Sequence, residues 1–203
     1  MPAAAKPPLE RYLQLLRRWS ERVDLVSPAD DATWIERHIL DGLGALAAVP
    51  AGSLRVVDVG SGAGLPGLIW AAARPELQLT LVEPRARRVA FLRTAIREMG
   101  LEGVEVVPDR AQSLFPARFD VAVSRATFPY AAWLPVGSSL VRSGGRVLAL
   151  LSEKKPEGLG EVEASSGLVL EAEAQYRLPR SGALRRVMVL LRLAAEGETI
   201  GLD

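Results

Sequence analysis

The segment Gly60-Ser61-Gly62-Ala63-Gly64-Leu65-Pro66-Gly67 follows an apolar run, Leu54-Arg55-Val56-Val57-Asp58-Val59, and leads into another, Leu68 to Arg74. Glycines at such a corner allow positive φ and let a ligand come close to the main chain. Two cofactor chemistries fit the spacing. Gly62 to Gly67 matches GxGxxG, the fingerprint of a dinucleotide site. Gly60-Ser61-Gly62-Ala63-Gly64 matches the GxGxG loop that holds S-adenosyl-L-methionine. Glu83, closing the next apolar run, can take ribose hydroxyls in either case. Asp58 separates the two. A carboxylate two residues ahead of Gly60 repels a pyrophosphate, but it suits a cofactor carrying a sulfonium and an ammonium. Asp109-Arg110-Ala111-Gln112 falls after the third strand, where adenine contacts are made in such a fold.

What the chain lacks narrows the chemistry further. Of 203 residues none is Cys and one is His. Disulfides, thiolate metal sites, iron–sulfur clusters, cysteine nucleophiles and multi-His metal sites are excluded, and no metal is expected. Hydrophobic residues make up 49% and charged residues 24%, the proportions of an ordinary soluble globule. Lys plus Arg is 25 against 24 for Asp plus Glu, so bulk charge does not mark a nucleic-acid protein. The distribution is less even. Between Pro84 and Arg97 stand Arg85, Arg87, Arg88, Arg93 and Arg97 with no acid, and Arg177, Arg180, Arg185 and Arg186 form a second cluster. With the arginines of the first helix these could make a phosphate-binding rim, or simply an arginine-rich surface. No secretory leader and no apolar stretch of about 18 residues is found. A cytoplasmic monomer without membrane contact is the expectation.

The elements that must position these residues follow from periodicity. Leu9, Tyr12, Leu13, Leu16, Trp19 and Val23 form one helical stripe behind a Pro/Ala leader, residues 1–8, expected to fray. Asp30 and Asp31 can cap a second helix carrying Trp34, Ile35, Ile39, Leu40 and Leu43. Residues 1–50 thus read as a helical extension and 51–203 as the main domain. In the latter, strands at 54–59, 77–82, 104–107, 119–123 and 146–151 alternate with helices at 68–74, 86–99, 111–114 and 130–141. That alternation argues a parallel sheet with helices on both faces. Strand candidates 168–176 and 187–193 have no clear helix between them and suggest a closing hairpin. A mostly parallel α/β sheet finished by an antiparallel hairpin is the outline of the Rossmann-like class I methyltransferase fold.

Several blocks together make the sequence recognisable: Arg37-His38-Ile39-Leu40-Asp41-Gly42-Leu43, the glycine block from Asp58 to Gly67, Arg87-Arg88-Val89-Ala90-Phe91-Leu92, Arg110-Ala111-Gln112, and Ser124-Arg125-Ala126. In this order they resemble the RsmG family, also called glucose-inhibited division protein B, across Tyr12 to Leu193. The resemblance implies methyl transfer from S-adenosyl-L-methionine to N7 of a guanine in 16S rRNA, guanine 527 in the usual rRNA numbering. The partner would be 16S rRNA or a small-subunit precursor particle. Gly60, Gly62, Gly64, Leu65, Glu83, Ala111 and Gln112 would line the cofactor pocket, with Arg125 serving both cofactor and catalytic face. The chain departs from the family at Ser20 and Asp24, usually asparagines, at Gly42, usually Ser, at Gln112, where Glu is common, and at Leu151, commonly Lys. Lys154 and Lys155 follow Leu151 closely.

The chemistry is consistent with the residues present. Guanine N7 has a free lone pair and no proton to lose, so its methylation needs alignment and desolvation, not a general base. Ser124-Arg125-Ala126-Thr127-Phe128-Pro129 stands where amino-group methyltransferases keep an Asn/Asp-Pro-Pro-Tyr/Phe motif. Arg125 is expected to donate hydrogen bonds to cofactor, guanine O6 or phosphate, or else to pair with a carboxylate such as Asp120. His38 is expected to be a structural residue that could orient a loop, with Asp41 available to pair with His38 or Arg37. Trp19 and Trp34 read as core. The alternatives are a class I methyltransferase with a small-molecule or protein substrate, an NAD-linked oxidoreductase, and a non-catalytic RNA-binding relative.

Overall fold

A computed structural model describes residues 2–115, 119–152 and 160–194. Seven strands form one sheet in the order β3-β2-β1-β4-β5-β7-β6. They are β1 (Arg55–Val59), β2 (Gln78–Val82), β3 (Val104–Val107), β4 (Phe119–Ser124), β5 (Val141–Leu151), β6 (Leu168–Arg177) and β7 (Leu184–Arg192). The first five run parallel, while β7 is antiparallel to both β5 and β6. The expected parallel sheet with a closing hairpin is therefore present. Because the central strands are covered on both faces, they are apolar almost throughout. Val56 enters the core on one side, and Val57 and Val59 enter the core on the other.

The helices divide between those two cores. α1 (Lys6–Ser20), α4 (Gly67–Ala73) and α5 (Ala86–Met99) cover the first. So does a continuous helical run made of α2 (Asp31–Trp34), a π turn (Ile35–Leu40) and α3 (Asp41–Leu46). α6 (Tyr130–Leu140) and the short α7 (Glu161–Ser165) cover the second, through Trp133, Leu134, Leu140 and Val162. The side chain of Asp30 accepts from Thr33 N at 2.7 Å, as the capping rule requires.

Three elements differ from expectation. The leader does not fray at residue 8: a 3-10 turn spans Ala3–Ala5, α1 starts at Lys6, and Ala5 is fully buried. Pro7 and Pro8 sit in the first turn, where a missing N–H costs nothing. β5 starts at Val141, not Arg146, and its register against β4 jumps from Phe119–Val141 to Val121–Arg146. The Gly144-Gly145 pair lies inside that bulge, Gly144 with φ of +74°, and makes a kink within the strand. α7 carried no periodic signal because it is five residues long. Among the described residues no helix is long and apolar enough to cross a membrane.

Candidate active site

The sheet order brings the ends of β1, β2, β3 and β4 to one edge, with β1 and β4 adjacent where the order reverses. Ligands of open α/β sheets bind at such a switch point. The chain there builds the glycine corner. Gly60 and Ser61 N–H both donate to Val82 O, at 2.8 and 3.1 Å, and Gly64 and Leu65 N–H donate to Ser61 O, at 2.7 and 3.0 Å. Ser61 Oγ donates to Asp58 O at 2.8 Å. Two glycines are required for different reasons. Gly60 has φ of +72°, and a Cβ on it would stand 2.4 Å from Thr127 Oγ1, so bulk is excluded as well as geometry. Gly62 has φ of +56°, but a Cβ there would meet nothing nearer than Arg88 Nη1 at 3.7 Å.

Carboxylates occupy the places that a pyrophosphate would need. Gly62 N–H donates to Glu83 Oε2 at 3.0 Å, and Gly67 N–H, at the start of α4, donates to Asp58 Oδ2 at 3.0 Å. In a dinucleotide site the loop amides and the helix N-terminus face the phosphates. Here those groups already donate to carboxyl oxygens, and both acidic side chains are buried. Asp58 Oδ1 has no hydrogen-bond partner in the protein. Burial pushes the Asp58 carboxyl up to about 7, against the opposing pull of the Gly67 amide and of Arg125. A corner with two buried carboxylates and an acceptor to spare fits a cationic ligand with an ammonium group. It disfavours the dinucleotide alternative.

The remaining site residues surround this corner unevenly. Leu65 and Ala111 are buried, whereas Gln112 is exposed on the 3-10 turn Ala111–Leu114. Glu83 also accepts from Arg85 N–H at 2.9 Å, and Arg88 Nη1 lies 4.0 Å from Glu83. Arg125 follows β4 and lines a neighbouring cavity of about 460 Å³, together with His38, Asp41, Leu151, Tyr176 and Arg185. Arg125 does not pair with Asp120. Its Nη1 donates to Arg37 O at 3.0 Å and lies 3.3 Å from Asp41 Oδ2. Asp120 is taken by Arg142 Nε at 2.7 Å and by Arg55 N–H at 2.7 Å. His38 is held neutral: burial first, then the charge of Arg125, pulls it down to about 4. Its Nδ1 is buried and without a hydrogen-bond partner. Asp41 serves neither His38 nor the side chain of Arg37, but Arg125, Arg185 and Tyr176 together.

Three features of the site had little or no signal in the sequence. Tyr12 OH, fully buried, donates to Ala63 O at 2.9 Å and so ties α1 to the glycine corner. A tyrosine in a leucine stripe must find a partner for its hydroxyl, and that was the available hint. Tyr176 OH donates to Asp41 Oδ1 at 2.7 Å, with Asp41 O at the same distance, and its ring lies against Gly44, where a Cβ would be 2.4 Å away. Ala126, beside Arg125, has φ of +56° in the left-handed region, a strained conformation for a residue with a Cβ. Leu151 ends β5 at this cavity, and Lys154 and Lys155 lie outside the described residues.

The sheet order, the hairpin and the carboxylate-lined corner define the architecture of a class I S-adenosylmethionine-dependent methyltransferase. Solved structures bear out the fold. The chain is similar to the 1,6-didemethyltoxoflavin-N1-methyltransferase of Burkholderia thailandensis, solved with S-adenosylhomocysteine, at a TM-score of 0.64 and 18% identity over 96% of this chain and 93% of that one. It is similar also to a methyltransferase from Pyrococcus furiosus, at 0.63 and 16% over 92% and 98%. The chain belongs to the rRNA small subunit methyltransferase G family, GidB, whose profile matches residues 5–181. A relative named ribosomal RNA small subunit methyltransferase G, from Desulfotalea psychrophila, is 38% identical over 90% of this chain and 87% of its own length. One of the same name from Halorhodospira halophila is 37% identical over 95% and 90%. The protein is thus a methyltransferase of the family that modifies small-subunit rRNA.

Proposed function

We propose that the protein methylates N7 of a guanine in 16S rRNA, guanine 527 in the usual numbering, with S-adenosyl-L-methionine as donor. The observation that carries this reading is the pairing of the family match with a donor corner beside a cavity in which, among the described residues, Asp41 is the carboxylate and is already engaged. Asp41 is engaged by two arginines and a phenol, and His38 faces the guanidinium of Arg125. Such a site suits an acceptor that has a lone pair and no proton to surrender.

The donor, when bound, supplies a methyl group on a sulfonium. Everything else falls to the protein. Asp58 and Glu83 would complement positive charge and ribose hydroxyls, while Gly60, Gly62, Gly64 and Leu65 would form the floor. Ala111 and Gln112 would meet the adenine. Arg125, held by Arg37 O and Asp41, retains further N–H groups to orient the donor, the guanine O6 edge or a phosphate. Because A-form helices bury N7 in a deep groove, the acceptor should lie in a loop or open junction.

Mapping N7-methylguanine in 16S rRNA from cells with and without the gene tests the proposal. The mark should vanish with the gene, and its persistence would refute the assignment. Arg125→Ala should lower kcat/KM about 100-fold or more while Tm moves by a few degrees. A collapsed Tm with normal turnover would make Arg125 structural only.

A further inference from the structure

The two arginine clusters of the sequence part company in the structure. In the hairpin, Arg180 pairs with Asp30 and Arg185 with Asp41, both at distances of 3.2–3.3 Å, and Arg186 pairs with Glu173. Arg177 donates to Gly182 O. That cluster is largely spent on holding the hairpin in place. Along α1, α5 and the residues beside them only part of the set is spent: Arg17 pairs with Asp31, Arg18 with Glu98 and Arg88 with Glu83. Arg11, Arg22, Arg85, Arg87, Arg93 and Arg97 are exposed, and among the described residues none has a salt-bridge partner. Of the carboxylates nearby, Glu10 is engaged by Lys6 and Glu98 by Arg18, which leaves Glu21, Asp24 and Glu102 against six guanidiniums.

Arg22 lines the seam between α1 and α5, Arg87 shares the face of α5 that carries Glu98, and Arg97 stands on the adjoining face. α1 and α5 pack side by side, Tyr12 and Trp19 both edge-on to Phe91 at 6.3 and 5.7 Å. Arg11 and Arg18, seven residues apart on α1, share one helical face, and Arg18 reaches across to Glu98. Arg22 follows in the next turn, and with Arg18, Trp19 and Glu98 it lines a groove of about 410 Å³ between the helices. At the other end, Arg88 Nη2 donates to Asp24 O, and Arg85 N–H donates to Glu83, so the first turn of α5 stands at the donor corner. The seam between the helices thus runs from the site outward along the surface.

We infer that the α1–α5 seam is a docking track for the phosphodiester backbone of rRNA, with Arg22, Arg87 and Arg97 as its phosphate contacts. The inference rests on the rRNA reading above and extends it to a surface outside the reaction cavity. Each phosphate neutralised releases counterions, so the track governs how steeply binding falls with salt. The exposed Arg18–Glu98 pair contributes little to stability and can exchange its carboxylate for a phosphate.

The test is binding of unmethylated small ribosomal subunits by the full chain across a salt series, with S-adenosylhomocysteine binding measured in parallel. Changing Arg22, Arg87 and Arg97 together to Gln should lower the log–log salt slope by about two and raise KM at least tenfold, with kcat and S-adenosylhomocysteine affinity unchanged. Arg97→Gln alone should lower the slope by about 0.7. Arg180→Gln should leave the slope where it is. An unchanged slope in the triple variant, or a loss confined to Arg180→Gln, would overturn the track. A wild-type protein that gives no heat with S-adenosylhomocysteine yet shows these slopes would instead refute the proposed reaction and leave the track standing.

Discussion

Asp58 is the carboxyl among the described residues whose ionisation the fold displaces upward. Its folded pKa, about 7, exceeds the ordinary 3.8 because the carboxyl is buried. The stabilisation from its protonated form is complete below about 4 and is lost as pH rises through about 7. Without ligand, Asp58→Asn should therefore flatten the decline in Tm between pH 4 and 7, readable by differential scanning calorimetry. A ligand ammonium would favour the carboxylate, so S-adenosylhomocysteine binding at pH 6 should release a proton. Titrations in buffers of different ionisation enthalpy measure this directly, and absence of release would separate Asp58 from the ligand. The glycines give a second residue-level contrast. Gly62→Ala should cost about 1–2 kcal/mol from φ alone, whereas Gly60→Ala adds a clash with Thr127 and should cost more in urea unfolding. Gly60→Asp should abolish cofactor binding outright. The glycine block and its carboxylates were legible in the sequence because strand ends, turns and acids are local features. The partners of Asp41 and Arg125 were not, since each contact joins residues far apart in the chain.

At the level of elements, the N-terminal helix forms part of the donor corner. Tyr12 supplies the hydrogen bond to Ala63 from α1, and its ring packs on Phe91 of α5. Tyr12→Phe keeps the ring and leaves a buried carbonyl without its donor. It should weaken S-adenosylhomocysteine binding roughly fivefold, about 1 kcal/mol, by calorimetry. Unaltered affinity would mean that α1 does not restrain the loop. The hairpin is fastened in the same fashion. Glu36, buried in the π turn, accepts the main-chain N–H groups of Arg180 and Ser181. Those amide bonds hold its carboxyl below the usual range despite desolvation. Strand and helix periodicity located nearly all of these elements, because a stripe or an apolar run survives without knowledge of its partner. It misplaced the start of β5, where two glycines look the same in a turn and in a bulge, and it gave no sign of a π turn.

For the molecule as a whole, the helical segment and the sheet share one core. Leu9, Tyr12, Leu15 and Leu16 of α1 are almost completely buried among residues of α4 and α5. Leaving four such side chains without cover costs about 6–12 kcal/mol, comparable with the stability of an entire domain. A chain lacking residues 2–20 should therefore lose its cooperative thermal transition and its near-ultraviolet dichroism. A sharp melt in that truncated chain would show that residues 51–203 fold alone. The same packing bears on how the protein is made. The stripe on α1 leaves the ribosome long before α5 has been synthesised, roughly 80 residues later, a wait of roughly 4–16 s at ordinary elongation rates. Throughout that interval the newborn chain displays an uncovered row of leucines, so the stretch of translation between α1 and α5 is when it most needs protection from aggregation.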